Sequence, residues 1–214
     1  MHAAGSIGLP FEVGQRTPSK SSVKAEGSFL SDQPPAVPAT NAARAQRAQR
    51  MAVYAGVFDP PTMAHMEIIE TALRIFDELV VVVGFNPNKS SALFTPEERV
   101  AMLEASLSPE MRDSVRVTAY SGLTAPYAES LGACALVRGM RPYADADAEV
   151  ALAFMNERLS PRLPTVLLVT GARNVWLSST FVREAATLGR IILAGAVPPP
   201  VEEALRKRFA TTDP

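Results

Sequence analysis

Met51-Ala52-Val53-Tyr54-Ala55-Gly56-Val57-Phe58-Asp59-Pro60-Pro61-Thr62-Met63-Ala64-His65 sets the architecture of this chain. Met51 to Val57 is short, apolar and closed off by Asp59 and two prolines, the pattern of a buried strand. Met66 to Phe76 then carries Ile68, Ile69, Ala72, Leu73 and Phe76 at helical spacing, and Leu79 to Phe85 is a second buried-strand run. Strand, helix and strand in that order predict a right-handed crossover between parallel strands. The alternation continues. A helix is predicted from Thr95, where Thr95-Pro96-Glu97-Glu98 is a capping box with proline at the first helical position. Strand Val115 to Ala119, helix Ala125 to Leu131, strand Ala133 to Arg138, helix Asp145 to Leu159, strand Thr165 to Thr170 and a helix from Ser178 follow. Five strands, each followed by a helix, predict an α/β fold with a doubly wound parallel five-stranded sheet. A last helix near Val201 to Phe209 follows Pro198-Pro199-Pro200. Ligands of such sheets bind beyond the carboxyl ends of the strands, where strand order reverses.

Upstream of Met51 the composition changes. Residues 1–50 hold 6 basic and 3 acidic side chains, 5 of the 18 prolines and no apolar period, so a disordered tail is expected there, with the domain spanning 51–214. The tail reads as an over-long start assignment with Met51 the first residue, as an arm without a role, or as a transit peptide ending in the spaced Arg44, Arg47 and Arg50. The 214 residues, 47% of them hydrophobic, can bury a core without disulfides or metals. No apolar run approaches the roughly 20 residues of a membrane span. The single cysteine, Cys134, excludes a disulfide framework or a Cys-based metal centre and points to the cytosol or a reducing organelle interior. A net charge of -1 argues against a general nucleic-acid binder. The two histidines, His2 and His65, are too few for a His-rich metal site.

Chemistry should therefore sit in the polar segments that follow strands. In Gly56 to His65 the glycine permits close backbone approach, and His65 lies at a helix start, where free N–H groups favour an anion. Lys89, in Asn86-Pro87-Asn88-Lys89, is a mobile cation suited to phosphate. Arg138-Gly139-Met140-Arg141 follows the apolar run Ala133 to Val137 and delivers two guanidiniums to the sheet's end. Ser178-Ser179-Thr180 opens a helix, either capping it or binding phosphate, with Arg183 one turn further on. No Gly-x-x-x-x-Gly-Lys-[Ser/Thr] loop, Gly-x-Gly-x-x-Gly fingerprint or Gly-x-Ser-x-Gly elbow occurs.

In this order the four segments resemble the nucleotidyltransferase superfamily with a [His/Thr]-x-Gly-His loop and an Ile-Ser-Ser-Thr-x-x-Arg helix start. Phe94-Thr95-Pro96-Glu97-Glu98-Arg99, Arg138-Gly139-Met140-Arg141 and the helix with Glu149 and Met155-Asn156 are most similar to the phosphopantetheine adenylyltransferases. The resemblance runs from Met51 to about Phe209. It implies a cytoplasmic enzyme of coenzyme A synthesis, working with Mg²⁺ and assembled as a hexamer, that adenylylates 4′-phosphopantetheine from ATP without a covalent intermediate. It implies catalytic roles for His65, Lys89 and Arg138, with His65 on the α-phosphate. Around ATP it places Val57, Phe58, His65, Gly139, Met140, Arg141, Glu149, Asn174, Val175, Trp176, Leu177, Ser178, Ser179 and Thr180. Around the acceptor it places Val57, Lys89, Thr124 and Arg138. No residue is expected to bind a metal directly. The family's Thr after the loop glycine is Val57 here, its Gly before the histidine is Ala64, and Thr124 stands where Leu or Met is usual. Those departures leave two other readings: a nucleotidyltransferase for a nicotinate mononucleotide or sugar phosphate, or a weakened nucleotide-binding paralogue.

Overall fold

The computed structural model describes residues 49–88, 91–142, 144–189 and 195–210; the expected disordered tail, Lys89 and most of Ile191 to Val197 lie outside them. The elements run β1 (Met51–Gly56), α1 (Met63–Leu73), β2 (Glu78–Gly84), α2 (Pro96–Ser106), α3 (Pro109–Arg112) and β3 (Val115–Tyr120). After these come α4 (Thr124–Ser130), β4 (Ala135–Met140), α5 (Ala146–Leu159), β5 (Thr165–Val169), α6 (Ser179–Thr187) and α7 (Pro199–Phe209). The five strands form one parallel sheet in the order β3-β2-β1-β4-β5. The order reverses at β1, whose neighbours β2 and β4 are reached by crossovers in opposite directions.

Both faces of the central strands are covered, which is why these strands read as unbroken apolar runs rather than alternating ones. Tyr54, Val81, Val83 and Val137 pack with Met66, Ile68 and Ile69 of α1 on one side. Val53, Val80, Val82 and Leu136 pack with Ala125 and Ala128 of α4 on the other. Thr95 caps α2 as expected: its hydroxyl accepts from the Glu98 amide at 3.2 Å, while its own amide donates to Glu98 Oε2 at 2.7 Å. Hydrogen bonding extends upstream of Met51, for the Arg50 carbonyl accepts from the amides of Asp77 (2.9 Å) and Glu78 (3.3 Å). Among the described residues no helix is long and apolar enough to cross a membrane.

One boundary differs in a way that matters. The strand expected to end at Arg138 runs on through Gly139 to Met140, and these last three residues of β4 stand in register with Leu167, Leu168 and Val169 of β5. Pairing of β4 with β1 stops earlier, at Tyr54↔Val137. Backbone pairing to β5 extends the strand past the point where its apolar pattern ends, so the side chains gave no sign of it.

Candidate active site

Because β4 stays with β5 while β1 stays with β2 as far as Gly56↔Val83, the sheet opens between the ends of β1 and β4. Two cavities meet at this opening. The larger, about 880 Å³, lies over the ends of β1 and β2 and is lined by Val57, Thr124, Arg138, Arg183 and the 91–97 segment. The smaller, about 230 Å³, runs between β4 and α1 and is lined by His65, Gly139, Met140, Arg141, Glu149, Leu177, Ser178 and Ser179. Ala55, Gly56, Val57 and Arg138 belong to both walls.

The shared wall is rigid for reasons that can be named. Phe58 adopts a left-handed backbone conformation, φ 52°, and folds its buried ring back beneath Gly56, where a Cβ would approach the ring to 2.9 Å. Glycine is required there. The loop is then tied on every side. Asp59, 4% exposed, accepts from the amides of Leu93 (2.8 Å) and Phe94 (2.9 Å). The buried Arg99 of α2 donates to the Val57 carbonyl at 2.8 Å, and Ser179 Oγ donates to the Pro60 carbonyl at 2.8 Å. The Arg183 guanidinium donates to the Asp59 carbonyl. Val57 itself projects into the opening, 62% exposed.

His65 enters this site on the first turn of α1. The Thr62 amide donates to its Nδ1 at 2.9 Å, and the Thr62 hydroxyl lies 3.0 Å from the same atom. With Nδ1 accepting, the neutral ring carries its proton on Nε2. Burial, with the adjacent Arg138 and Arg141 charges, pushes His65 down to about 4. At neutral pH the site thus holds an uncharged imidazole with Nε2–H as its donor. The ring stands edge-on to Phe58, with centroids 5.0 Å apart.

Each strand-end arginine is held by a carboxylate from the start of α5. Arg138 makes a two-pronged pair with Glu149, at 2.7 and 2.8 Å, while its remaining arm donates to the Ala55 carbonyl. Arg141 pairs the same way with Asp145, at 2.7 and 2.6 Å. Fork-to-carboxylate geometry fixes the planes of both guanidiniums. The Tyr54 phenol, buried beside Arg138, is kept protonated by burial.

On the far side, Ser178 caps α6 by accepting from the Phe181 amide at 3.1 Å, and Thr180 accepts from Arg183 at 3.2 Å. The hydroxyl cluster therefore has capping and tethering roles before any phosphate arrives. Asn174 is held by Glu67 of α1, which accepts from its side-chain amide and from the Gly171 amide, both at 2.8 Å. Leu177 is buried, Trp176 is 53% exposed, and Val175 is partly buried between them.

Of the expected site residues, Val57, His65, Arg138, Gly139, Met140, Arg141, Glu149, Leu177, Ser178 and Ser179 converge on the smaller cavity, and Val57, Thr124 and Arg138 on the larger. Phe58 lies beneath them, and Asn174, Val175, Trp176 and Thr180 line neither cavity. Sequence reasoning missed Thr62, Glu67 and Asp145 and gave Asp59 only a turn role. Asp145 carried one legible signal, its place four residues beyond Arg141 and four before Glu149.

The sequence model of the cytidylyltransferase-like family matches residues 53–185. The chain is 44% identical over 162 residues to the phosphopantetheine adenylyltransferase of Synechococcus sp. (strain JA-3-3Ab), covering 76% of this chain and 99% of the relative. It is 42% identical to the enzyme of that name from Desulfatibacillum aliphaticivorans, covering 77% of this chain and 91% of the relative. Among solved structures, a bifunctional NMN adenylyltransferase/ADP ribose pyrophosphatase from Francisella tularensis superposes with a TM-score of 0.58 at 18% identity, over 77% of this chain and 50% of the other. At that identity the likeness is one of fold.

Proposed function

The chain belongs to the phosphopantetheine adenylyltransferases, within the cytidylyltransferase-like family, and we propose that its two adjoining cavities hold the two substrates of that reaction. It transfers an adenylyl group from ATP to 4′-phosphopantetheine, giving dephospho-coenzyme A and pyrophosphate. The observation that carries the site assignment is the wall common to both cavities, Ala55 to Val57 with Arg138, beside the His65 ring. Two phosphoryl groups lying on either side of that wall would meet in line.

In this reading ATP occupies the smaller cavity, between Gly139 to Arg141 and the start of α6. The acceptor lies in the larger one, its arm running past Thr124. An acceptor phosphate oxygen forms the new bond to the α-phosphorus as the bond to the pyrophosphate bridging oxygen breaks, the electron pair leaving with pyrophosphate. No side chain becomes covalently bound. The His65 Nε2–H donates to an α-phosphoryl oxygen as charge builds on the five-coordinate phosphorus. Arg138, anchored by Glu149 and the Ala55 carbonyl, holds the acceptor phosphate; the matching role that the family resemblance implies for Lys89 falls on a residue outside those described. The pre-tied loop supports this reading, because aligning two phosphates is most of what such a reaction requires.

Mg²⁺ belongs to the same proposal as a nucleotide-borne ion. Among the described residues no group of three or more His, Cys, Asp or Glu side chains could hold a metal, and Asp145 and Glu149 are committed to arginines. Mg²⁺ is commonly bound through substrate phosphates and water, where it offsets their charge. A cytoplasmic location fits the single, exposed and unbridged Cys134. Self-association into a hexamer is supported by the apolar outer face of α5, where Val150, Phe154, Met155 and Leu159 are exposed.

Pyrophosphate release, measured with ATP, Mg²⁺ and a panel of phosphate acceptors, tests the assignment. 4′-Phosphopantetheine should be preferred strongly over nicotinate mononucleotide and sugar phosphates. Absence of turnover with it at high enzyme concentration would overturn the reading.

A further inference from the structure

We infer that Arg208, on the C-terminal helix α7, is a positioning residue for the phosphate acceptor, because it fastens the segment that walls the larger cavity. The inference rests on assigning that cavity to 4′-phosphopantetheine.

The last turn of α7 carries Arg206, Lys207 and Arg208 in a row. The first two pair along their own helix, Arg206 with Glu202 and Lys207 with Glu203. Four residues before Arg208 stands Ala204, which offers no such partner, and its guanidinium reaches across to the chain between β2 and α2. There it donates to the Leu93 carbonyl at 2.8 Å and to the Glu98 carboxylate, and it lies 4.9 Å from the centre of the Phe94 ring. The amides of Leu93 and Phe94 are the pair that Asp59 holds from the opposite side. Residues 93 and 94 are thus gripped between the loop leading to His65 and α7, and they line the larger cavity together with Arg208 itself.

Docking of α7 does not need this contact. Val201 and Leu205, 0% and 2% exposed, already seat the helix among Phe94, Met102, Leu177 and Val182. The Arg208 and Glu98 side chains are 39% and 41% exposed, a setting in which an ion pair adds little to stability. What the planar guanidinium supplies is geometry, since it meets a carbonyl, a carboxylate and an aromatic ring at once, which an ammonium does less well. Arg138 lines the same cavity from the end of β4 and Arg183 from the first turns of α6, and they donate to the Ala55 and Asp59 carbonyls. Arg208 sets the opposite wall, against which the acceptor's arm is held.

The test uses the full chain and the Arg208→Ala and Arg208→Lys variants, with ATP and 4′-phosphopantetheine varied in turn and melting followed by calorimetry. Arg208→Ala should raise the KM for 4′-phosphopantetheine roughly 5- to 20-fold, a step of the size expected for losing one fixed polar contact. The KM for ATP and kcat should stay within about twofold, and Arg208→Lys should recover only part of the loss. An unchanged acceptor KM, or equal rises in both KM values with a lowered melting temperature, would overturn the inference while leaving the cavity assignment standing. A wild-type enzyme that ignores 4′-phosphopantetheine would overturn the assignment and this inference with it.

Discussion

With Nδ1 of His65 accepting from the Thr62 amide, the imidazole can donate only through Nε2, and burial beside Arg138 and Arg141 pushes its pKa down to about 4. Replacing His65 by Ala should cut turnover by about 10²- to 10³-fold while ATP affinity, measured by calorimetry, stays within about threefold, because the bond matters most in the transition state. The same shift fixes a pH dependence. Between the ordinary value of 6.5 and about 4 the unfolded chain binds a proton that the folded one does not. Stability therefore falls as pH drops through that window and this contribution levels off below it. Melting temperatures recorded from pH 7 to pH 4 should decline more steeply for the wild type than for His65→Ala, and parallel curves would contradict a neutral, partly buried ring. Val57 allows a gain-of-function test. The residue is 62% exposed at the junction of the cavities, so Val57→Thr should change stability by no more than about 0.5 kcal/mol. A hydroxyl donating to the acceptor phosphate is worth about 1.5 kcal/mol, so kcat/KM for 4′-phosphopantetheine should rise about tenfold. His65 and Arg138 stood out as candidates from their places beside strand ends, and Val57 only through the family resemblance; Thr62 as the group that orients His65 did not, because its contact runs through a backbone amide.

Strand β4 packs tightly against helix α1 at Gly139. A Cβ there would lie 2.9 Å from Ile68 Cγ1 and 3.2 Å from the Tyr54 hydroxyl, and Ile68 is buried one turn beyond His65 on the same helix. Gly139→Ala should push α1 outward, costing about 1–3 kcal/mol in denaturant unfolding. Because displacing a reacting group by 1 Å can cost about 10²-fold in rate, turnover should fall by a comparable factor although no contact to substrate is deleted. Wild-type stability and rate together in this variant would show that the helix has slack. Residue order put Gly139 just beyond the expected end of the strand at Arg138. Its place inside β4 follows from pairing with β5, an interaction between segments that no local pattern reports. The capping box of α2 was legible for the opposite reason, since its donors and acceptors lie within four consecutive residues.

Helix α5 buries only Asn156 while Val150, Phe154, Met155 and Leu159 stay exposed, so this face is where copies of the chain should meet. Sedimentation should give a mass several times the 22.9 kDa of the chain, and Phe154→Asp with Met155→Asp should shift it toward that value. A wild-type mass of 22.9 kDa would refute self-association. Periodicity and composition alone gave the alternating elements, the parallel sheet and the site at its carboxyl ends, since an apolar run that must be buried on both faces and a helix that must cross over leave few arrangements. Chain order could not show that β4 parts from β1 after Val137, that Asp145 and Glu149 clamp the two arginines, or that Asp59, Leu93, Phe94 and Arg208 form one wall. These depend on groups up to 115 positions apart brought within hydrogen-bond reach by the fold, and distance in space is not written in a linear pattern.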